Sequence, residues 1–162
     1  MVVVDAHSKW IEACVMPSFT AAKTIEQLRI IFATHGLPRK VITDNGPSYT
    51  SEKFASFLSY NGIVHVTSAP NHPSSNSLAE QAVQTLKSGL KRTSGATIQE
   101  KLSRVLMTYR ITPQTTTGVS PSQLLMGSCL QSQFDRLLPD LTKHVENHQA
   151  KQIQQHDSTK IL

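Results

Sequence analysis

The apolar positions fall in short blocks whose spacing changes along the chain. Residues 1–5 are a β-branched run and predict a strand. Residues 10–15 predict a second, and the polar link at residues 6–9 makes the pair a hairpin. The period then lengthens: Ile25, Leu28, Ile31 and Phe32 share one helical face. The predicted helix covers residues 21–34, with Thr20 as N-cap and Gly36 at a left-handed C-terminal cap; Pro38 prevents continuation. Residues 40–43 predict a short strand running into the turn Asp44-Asn45-Gly46-Pro47. Ser51 caps a helix over residues 52–61 whose apolar face is Phe54, Phe57 and Leu58, and residues 63–67 predict another strand. After a Pro-, Ser- and Asn-rich loop at 69–76, three helices follow: 78–92, 98–111 with Thr97 as cap, and 121–126 opened by Ser120 and Pro121. A hairpin followed by helices alternating with strands is an α/β pattern. The expected domain spans residues 1–138, and residues 139–162 read as a polar helical tail or the start of a further module.

A chain of 162 residues is long enough for one domain with its own core. No apolar run approaches the roughly 18 residues of a membrane span, and MVVVDAHSKW has neither the basic start nor the apolar length of a signal peptide. Cys14 and Cys129 are far apart and form no CxxC pair, so free thiols in a reducing compartment are expected. His144 and His148 would share a helix face but lack the two further ligands that zinc needs. The net charge of +5 is uneven: residues 1–76 carry +1 and residues 77–162 carry +4. Six basic residues lie between Lys87 and Arg110 against one acid, Glu100. Such a stretch suits a polyanion, and a solvated helix surface accounts for it equally well.

Two carboxylates stand out. Asp44 closes a strand and Glu80 opens the long helix, with 35 residues between them. If they converge they can hold Mg²⁺ or Mn²⁺, hard cations that favour oxygen ligands and support phosphodiester chemistry. Each also has a structural reading. Asp44 suits the turn it opens, and Ser77-Leu78-Ala79-Glu80 reads as a capping box with Ser77 as N-cap. The helix carries an apolar face of Ala79, Val83, Leu86 and Leu90. On another face Glu80, Gln84, Lys87 and Lys91 form one stripe, a basic row leading away from the candidate ligand.

Four blocks taken in order, VVVDAHSKW, VITDNGPSYTS, HPSSNSLAEQAVQTLK and TYRITPQTTTGVSPSQLLMG, resemble the integrase core of gypsy-class LTR retrotransposons, relatives of retroviral integrases. The resemblance covers about residues 1–140. It implies an RNase H-like fold, Mg²⁺ or Mn²⁺, a DNA partner in the nucleus, self-association, and strand transfer of element DNA into a target. On these motifs Asp44 matches the family's second catalytic aspartate and Glu80 its glutamate, as catalytic and metal-binding residues. Gln84 and Lys87 match the positions beyond the glutamate that touch DNA, and Lys91 extends that row.

The departures are specific. VVVDAHSKW matches the family's second strand, so Asp5 does not match the first catalytic aspartate, which the family carries on the preceding, central strand. A core lacking that strand is expected to leave two strand edges around a gap of about two strand spacings, roughly 9.6 Å. The family commonly has Gly at Ser77, Arg at Gln81 and an Arg-rich run at residues 127–131. Its N-terminal zinc-binding module has no counterpart here. The expected protein is an integrase-core fragment that is catalytically incomplete by itself; the alternative is a host-adopted, non-enzymatic remnant that binds DNA or protein.

Overall fold

The computed structural model describes residues 1–68 and 77–135. The chain forms strands β1 (Val2–Val4) and β2 (Ile11–Ala13), helix α1 (Ala21–His35), strand β3 (Lys40–Thr43), helix α2 (Glu52–Tyr60), strand β4 (Val64–Thr67), and helices α3 (Ser77–Arg92), α4 (Ile98–Ile111) and α5 (Pro121–Met126). One compact unit spans Met1–Cys129; a second begins at Leu130, and of it residues 130–135 are described, where Asp135 accepts from the Ser132 backbone N–H at 2.6 Å. The polar stretch from Pro139, with His144 and His148, lies outside the described residues.

Four of the predicted helix starts are built by one device. Thr20, Ser51, Thr97 and Ser120 each accept, through the side-chain oxygen, from the backbone N–H three residues on. Each bond satisfies an N–H that the helix itself leaves without a partner. Two cap details differ from expectation. Gly36 has a positive φ of 86° but a ψ of 173°, outside the left-handed helical region, while its N–H still reaches the Phe32 carbonyl. The helix α3 includes Ser77 as its first residue, which puts Glu80 one position later than a capping box requires; the residue before Ser77 is not among those described.

The sheet is divided. β1 pairs antiparallel with β2 in the register Val2↔Ala13, Val3↔Glu12, Val4↔Ile11. β3 pairs parallel with β4, Lys40↔Val64 through Thr43↔Thr67. No strand among the described residues joins the two pairs. The Met1, Asp5, Cys14 and Trp10 backbone bonds point the odd residues of β1 at β2, so the N–H and C=O groups of Val2 and Val4 face the other way. Likewise the Arg39 and Thr43 carbonyls bond to β4, and the backbone groups of Lys40 and Ile42 face away from it. Val2, Val4, Lys40 and Ile42 all line one cavity of about 960 Å³. Two edges around a gap are therefore what the sequence led us to expect, and what the structure contains.

Alternation along β1 divides the core. Val2 and Val4 pack with Ile11, Ala82, Leu86, Leu102, Val105 and Leu106, whereas Val3 packs with Ile25, Leu28, Phe54, Phe57, Leu58 and Ile63. The face of α3 that enters the first cluster is shifted from the one expected: Leu86 and Leu90 belong to it as expected, and Ala82 takes the place of Ala79 and Val83. Ala82 and Leu86 are buried, while Ala79 and Val83 line the cavity. The reason is the approach of α4: a Cβ on Gly89 would stand 2.6 Å from Val105 Cγ1 and 3.1 Å from Cγ2, so only glycine admits α4 at this distance. Gly89→Ala is expected to lower the urea-unfolding free energy by about 1–3 kcal/mol through overpacking, despite a gain of about 1 kcal/mol in helix propensity. A rise in the urea midpoint would show that α3 and α4 stand further apart than described.

Candidate active site

Asp44 follows the last residue of β3 and is held as the first residue of a side-chain-closed turn. Its Oδ1 accepts from the Gly46 N–H at 2.9 Å, and the Gly46 carbonyl accepts from the Tyr49 and Thr50 N–H groups. A Cβ at position 46 would lie 2.9 Å from that Oδ1, so glycine is required for the carboxylate to sit there. Asn45 Nδ2 donates to the Ser68 carbonyl at 2.9 Å, tying the turn to the end of β4. The Thr43 hydroxyl lies 2.9 Å from both the Asp44 carbonyl oxygen and His65 Nε2. Beneath the turn, Tyr49 makes edge contacts with Phe19 and Phe54, and Phe54 with His65. Burial and the neighbouring Asp44 charge raise the pKa of the Tyr49 phenol.

Glu80 stands exposed in the first turn of α3, and it lines the same cavity as Asp44. Gln84, one turn on, lines that cavity too. Lys87 and Lys91 continue along the helix as exposed residues beyond its lining. The structure thus brings Asp44, Glu80 and Gln84 to one cavity and carries the two lysines away from it.

Asp5 also lines the cavity, but its carboxylate is committed elsewhere. Burial pushes the Asp5 pKa up; the Ser8 hydroxyl and backbone bonds, with smaller contributions from His7, outweigh that and hold it below the usual aspartate range. Asp5 therefore closes the β1–β2 turn, where Lys9 takes a left-handed φ of 62°. Two exposed carboxylates offer the hard oxygen donors that Mg²⁺ or Mn²⁺ favours. Among the described residues, however, no three His, Cys, Asp or Glu side chains converge as a metal-binding group. The donor chemistry suits such an ion, while the number of ligands is low.

One functional neighbourhood is absent from the sequence reading. Glu12, at the same cavity, accepts from Trp10 Nε1 at 2.8 Å, lies 2.9 Å from His35 Nε2 and accepts from Arg110 Nη2 at 3.0 Å. The Arg110 guanidinium sits 4.1 Å from the centre of the Trp10 ring and also donates to the Ile11 carbonyl. The only local signal was the i, i+2 spacing of Trp10 and Glu12, which puts both on one side of an extended segment.

Residues 1–73 match the family described as integrase core domain. An uncharacterized protein of Caenorhabditis elegans, K02A2.6, is 38% identical over 142 residues, 86% of this chain and 11% of that protein. The Gag-Pro-Pol polyprotein of simian retrovirus SRV-1 is 35% identical over 91 residues, 56% of this chain and 5% of its own length. The chain therefore spans about a tenth or less of these relatives. Among solved structures, a chain of the simian T-cell lymphotropic virus intasome in complex with the PP2A regulatory subunit B56 gamma superposes with a TM-score of 0.72 at 28% identity, covering 81% of this chain and 49% of that one. The magnesium-bound HTLV-2 integrase catalytic core domain, at 22% identity and a TM-score of 0.66, shares the fold over 76% of this chain and 82% of its own. Residues 1–73 therefore carry an integrase core domain, and the chain has the RNase H-like fold of retroviral integrase cores.

Proposed function

We propose that this chain contributes Asp44 and Glu80 to a divalent-metal site for phosphodiester strand transfer in DNA integration, and that it is catalytically incomplete by itself. The observation that carries this reading is the placement of both carboxylates on one cavity, at the end of β3 and the start of α3. A bound Mg²⁺ or Mn²⁺ would activate the attacking oxygen and stabilise the leaving one. The chain's own residues would orient that ion: Asp44 through the Gly46 bond that fixes its carboxylate, Glu80 from the first turn of α3. Gln84, Lys87 and Lys91 would run a DNA strand along the helix by contacting phosphates, which position without reading sequence. Such chemistry commonly uses a third carboxylate, and Asp5 is already bonded to Ser8. Self-association and action in the nucleus follow from the same reading.

The test is a joining assay with labelled DNA ends in Mg²⁺ or Mn²⁺. No product is expected from this chain alone; robust product that Asp44→Asn abolishes would overturn the claim of incompleteness. A non-enzymatic role in DNA binding is the second reading, favoured by the exposed Lys87–Lys91 row on a chain in which, among the described residues, no third ligand joins the two carboxylates. Lys87→Ala and Lys91→Ala are each expected to weaken duplex binding and to reduce its salt dependence by about one unit of log–log slope. Fluorescence anisotropy across a salt series measures both, and an unchanged slope would remove these lysines from the interface.

A further inference from the structure

The turn bearing Asp44 is braced from β4 by a polar contact that lies behind it. The Thr43 side chain is buried, 7% exposed, and its one hydroxyl proton has two neighbours at 2.9 Å: the Asp44 carbonyl oxygen and His65 Nε2. A carbonyl oxygen can only accept, so the proton is best used there; the hydroxyl oxygen is then left to accept from the imidazole. We propose that His65 is a positioning residue: its Nε2–H donates to the Thr43 hydroxyl, which donates in turn to the Asp44 carbonyl, and this two-bond relay sets the direction in which the Asp44 carboxylate leaves β3.

The placement follows from the sheet. Val41 is the register partner of His65, and Thr43 is two residues further along β3. Thr43 and His65 are thus diagonal neighbours on one face, within reach of a long side chain. The ring orientation is held by Phe54, whose ring centroid is 5.3 Å away at an interplanar angle of 69°. Burial lowers the His65 pKa, which favours the neutral ring with one N–H that the relay uses. On the other side of Asp44 the Gly46 N–H and the Asn45–Ser68 bond complete the bracing, so backbone and carboxylate are fixed together. The functional consequence rests on the reading of Asp44 as a metal ligand; the relay does not.

The proton's location is directly measurable. Nitrogen-15 NMR of the full chain is expected to show His65 as the neutral Nε2–H tautomer, and an Nδ1–H tautomer would overturn the relay. Three variants then separate positioning from packing. His65→Leu and Thr43→Val remove the relay, whereas His65→Gln keeps an N–H donor near the Nε2 position. The Asp44 carbonyl carbon-13 shift should change in the first two and stay near wild type in the third. With Mn²⁺ as probe, paramagnetic broadening at Asp44 should report about fivefold weaker binding in His65→Leu and Thr43→Val, the effect of one lost hydrogen bond, and binding within about twofold of wild type in His65→Gln. Equal carbonyl shifts and equal Mn²⁺ affinity in His65→Leu and wild type would overturn the proposal. Absence of Mn²⁺ broadening in wild type would instead remove the metal reading, with the tautomer and carbonyl shift still deciding the relay.

Discussion

Phe54→Ala is expected to lower the unfolding free energy by about 3–5 kcal/mol, the range for deleting a buried aromatic ring and leaving the space behind. Phe54 is 0% exposed and belongs to the cluster formed by α1, α2 and the segment entering β4. Its position is set early in α2, where its N–H donates to the Ser51 cap at 3.3 Å, so neither helix nor ring can shift far to fill a void. The ring also lies under the turn that bears Asp44. It contacts Tyr49 at 5.4 Å and His65 at 5.3 Å. Phe54→Leu, which keeps most of the volume, should cost less and still unlock both rings. In that variant the Gly46 amide, which donates to the Asp44 carboxylate, should exchange with solvent faster than in wild type. Urea unfolding and amide exchange measure the two effects. A Phe54→Ala loss below about 1 kcal/mol would mean the cluster collapses around the gap and does not support the turn.

Glu12 gives the second large effect. Removing one member of a fully buried, hydrogen-bonded charge cluster costs about 3–5 kcal/mol, because the partner charge is left without compensation. The Glu12 side chain is 26% exposed and that of Arg110 20%, so solvent screening reduces the expected cost of Glu12→Ala to about 2 kcal/mol. Arg110→Met should cost a similar amount, and the double variant less than the two added, since both remove the same contact.

The cluster also predicts a pH dependence whose sign is fixed. Burial alone would raise the Glu12 pKa; the bonds from Trp10 and His35, with the Arg110 and His35 charges, outweigh it and hold the folded value below the usual 4.5. A carboxyl with a depressed folded pKa stabilises fully above its unfolded value and loses that contribution as pH falls through the folded one. The stability difference between wild type and Glu12→Gln should therefore shrink as the solution is acidified below 4.5. A difference that stays constant down to pH 3 would show that Glu12 is not stabilised as a carboxylate in the fold.

The cluster's position gives that stability a functional side. His35 ends α1, Trp10 and Glu12 belong to the hairpin, and Arg110 lies in the last turn of α4. Trp10, Glu12 and His35 all line the cavity that receives Asp44 and Glu80. With no strand among the described residues pairing β1 to β3, this charge cluster is a polar link between the hairpin and α1 across the divided sheet.

Much of the local structure was legible in the sequence because its causes are local. Each of the caps Thr20, Ser51, Thr97 and Ser120 reaches only three residues ahead. The Asp44–Gly46 turn closes within two residues, and Asp44 and Glu80 were singled out by where they sit on their own elements. The buried face of α3 was displaced because helical periodicity allows neighbouring faces, and the choice fell to Gly89 and Val105, sixteen positions apart. Beyond Trp10, the partners of Glu12 stand 23 and 98 residues away, and His65 meets Thr43 across 22. No window of sequence contains such pairs. The sequence by itself determined the elements, their order and the two candidate carboxylates, since hydrogen bonding and burial over a few residues suffice for those. Only the tertiary structure decided which cavity they share, which glycine admits a neighbouring helix and which side chains brace the site, because those depend on contacts whose cost in chain entropy is met only when the whole fold forms.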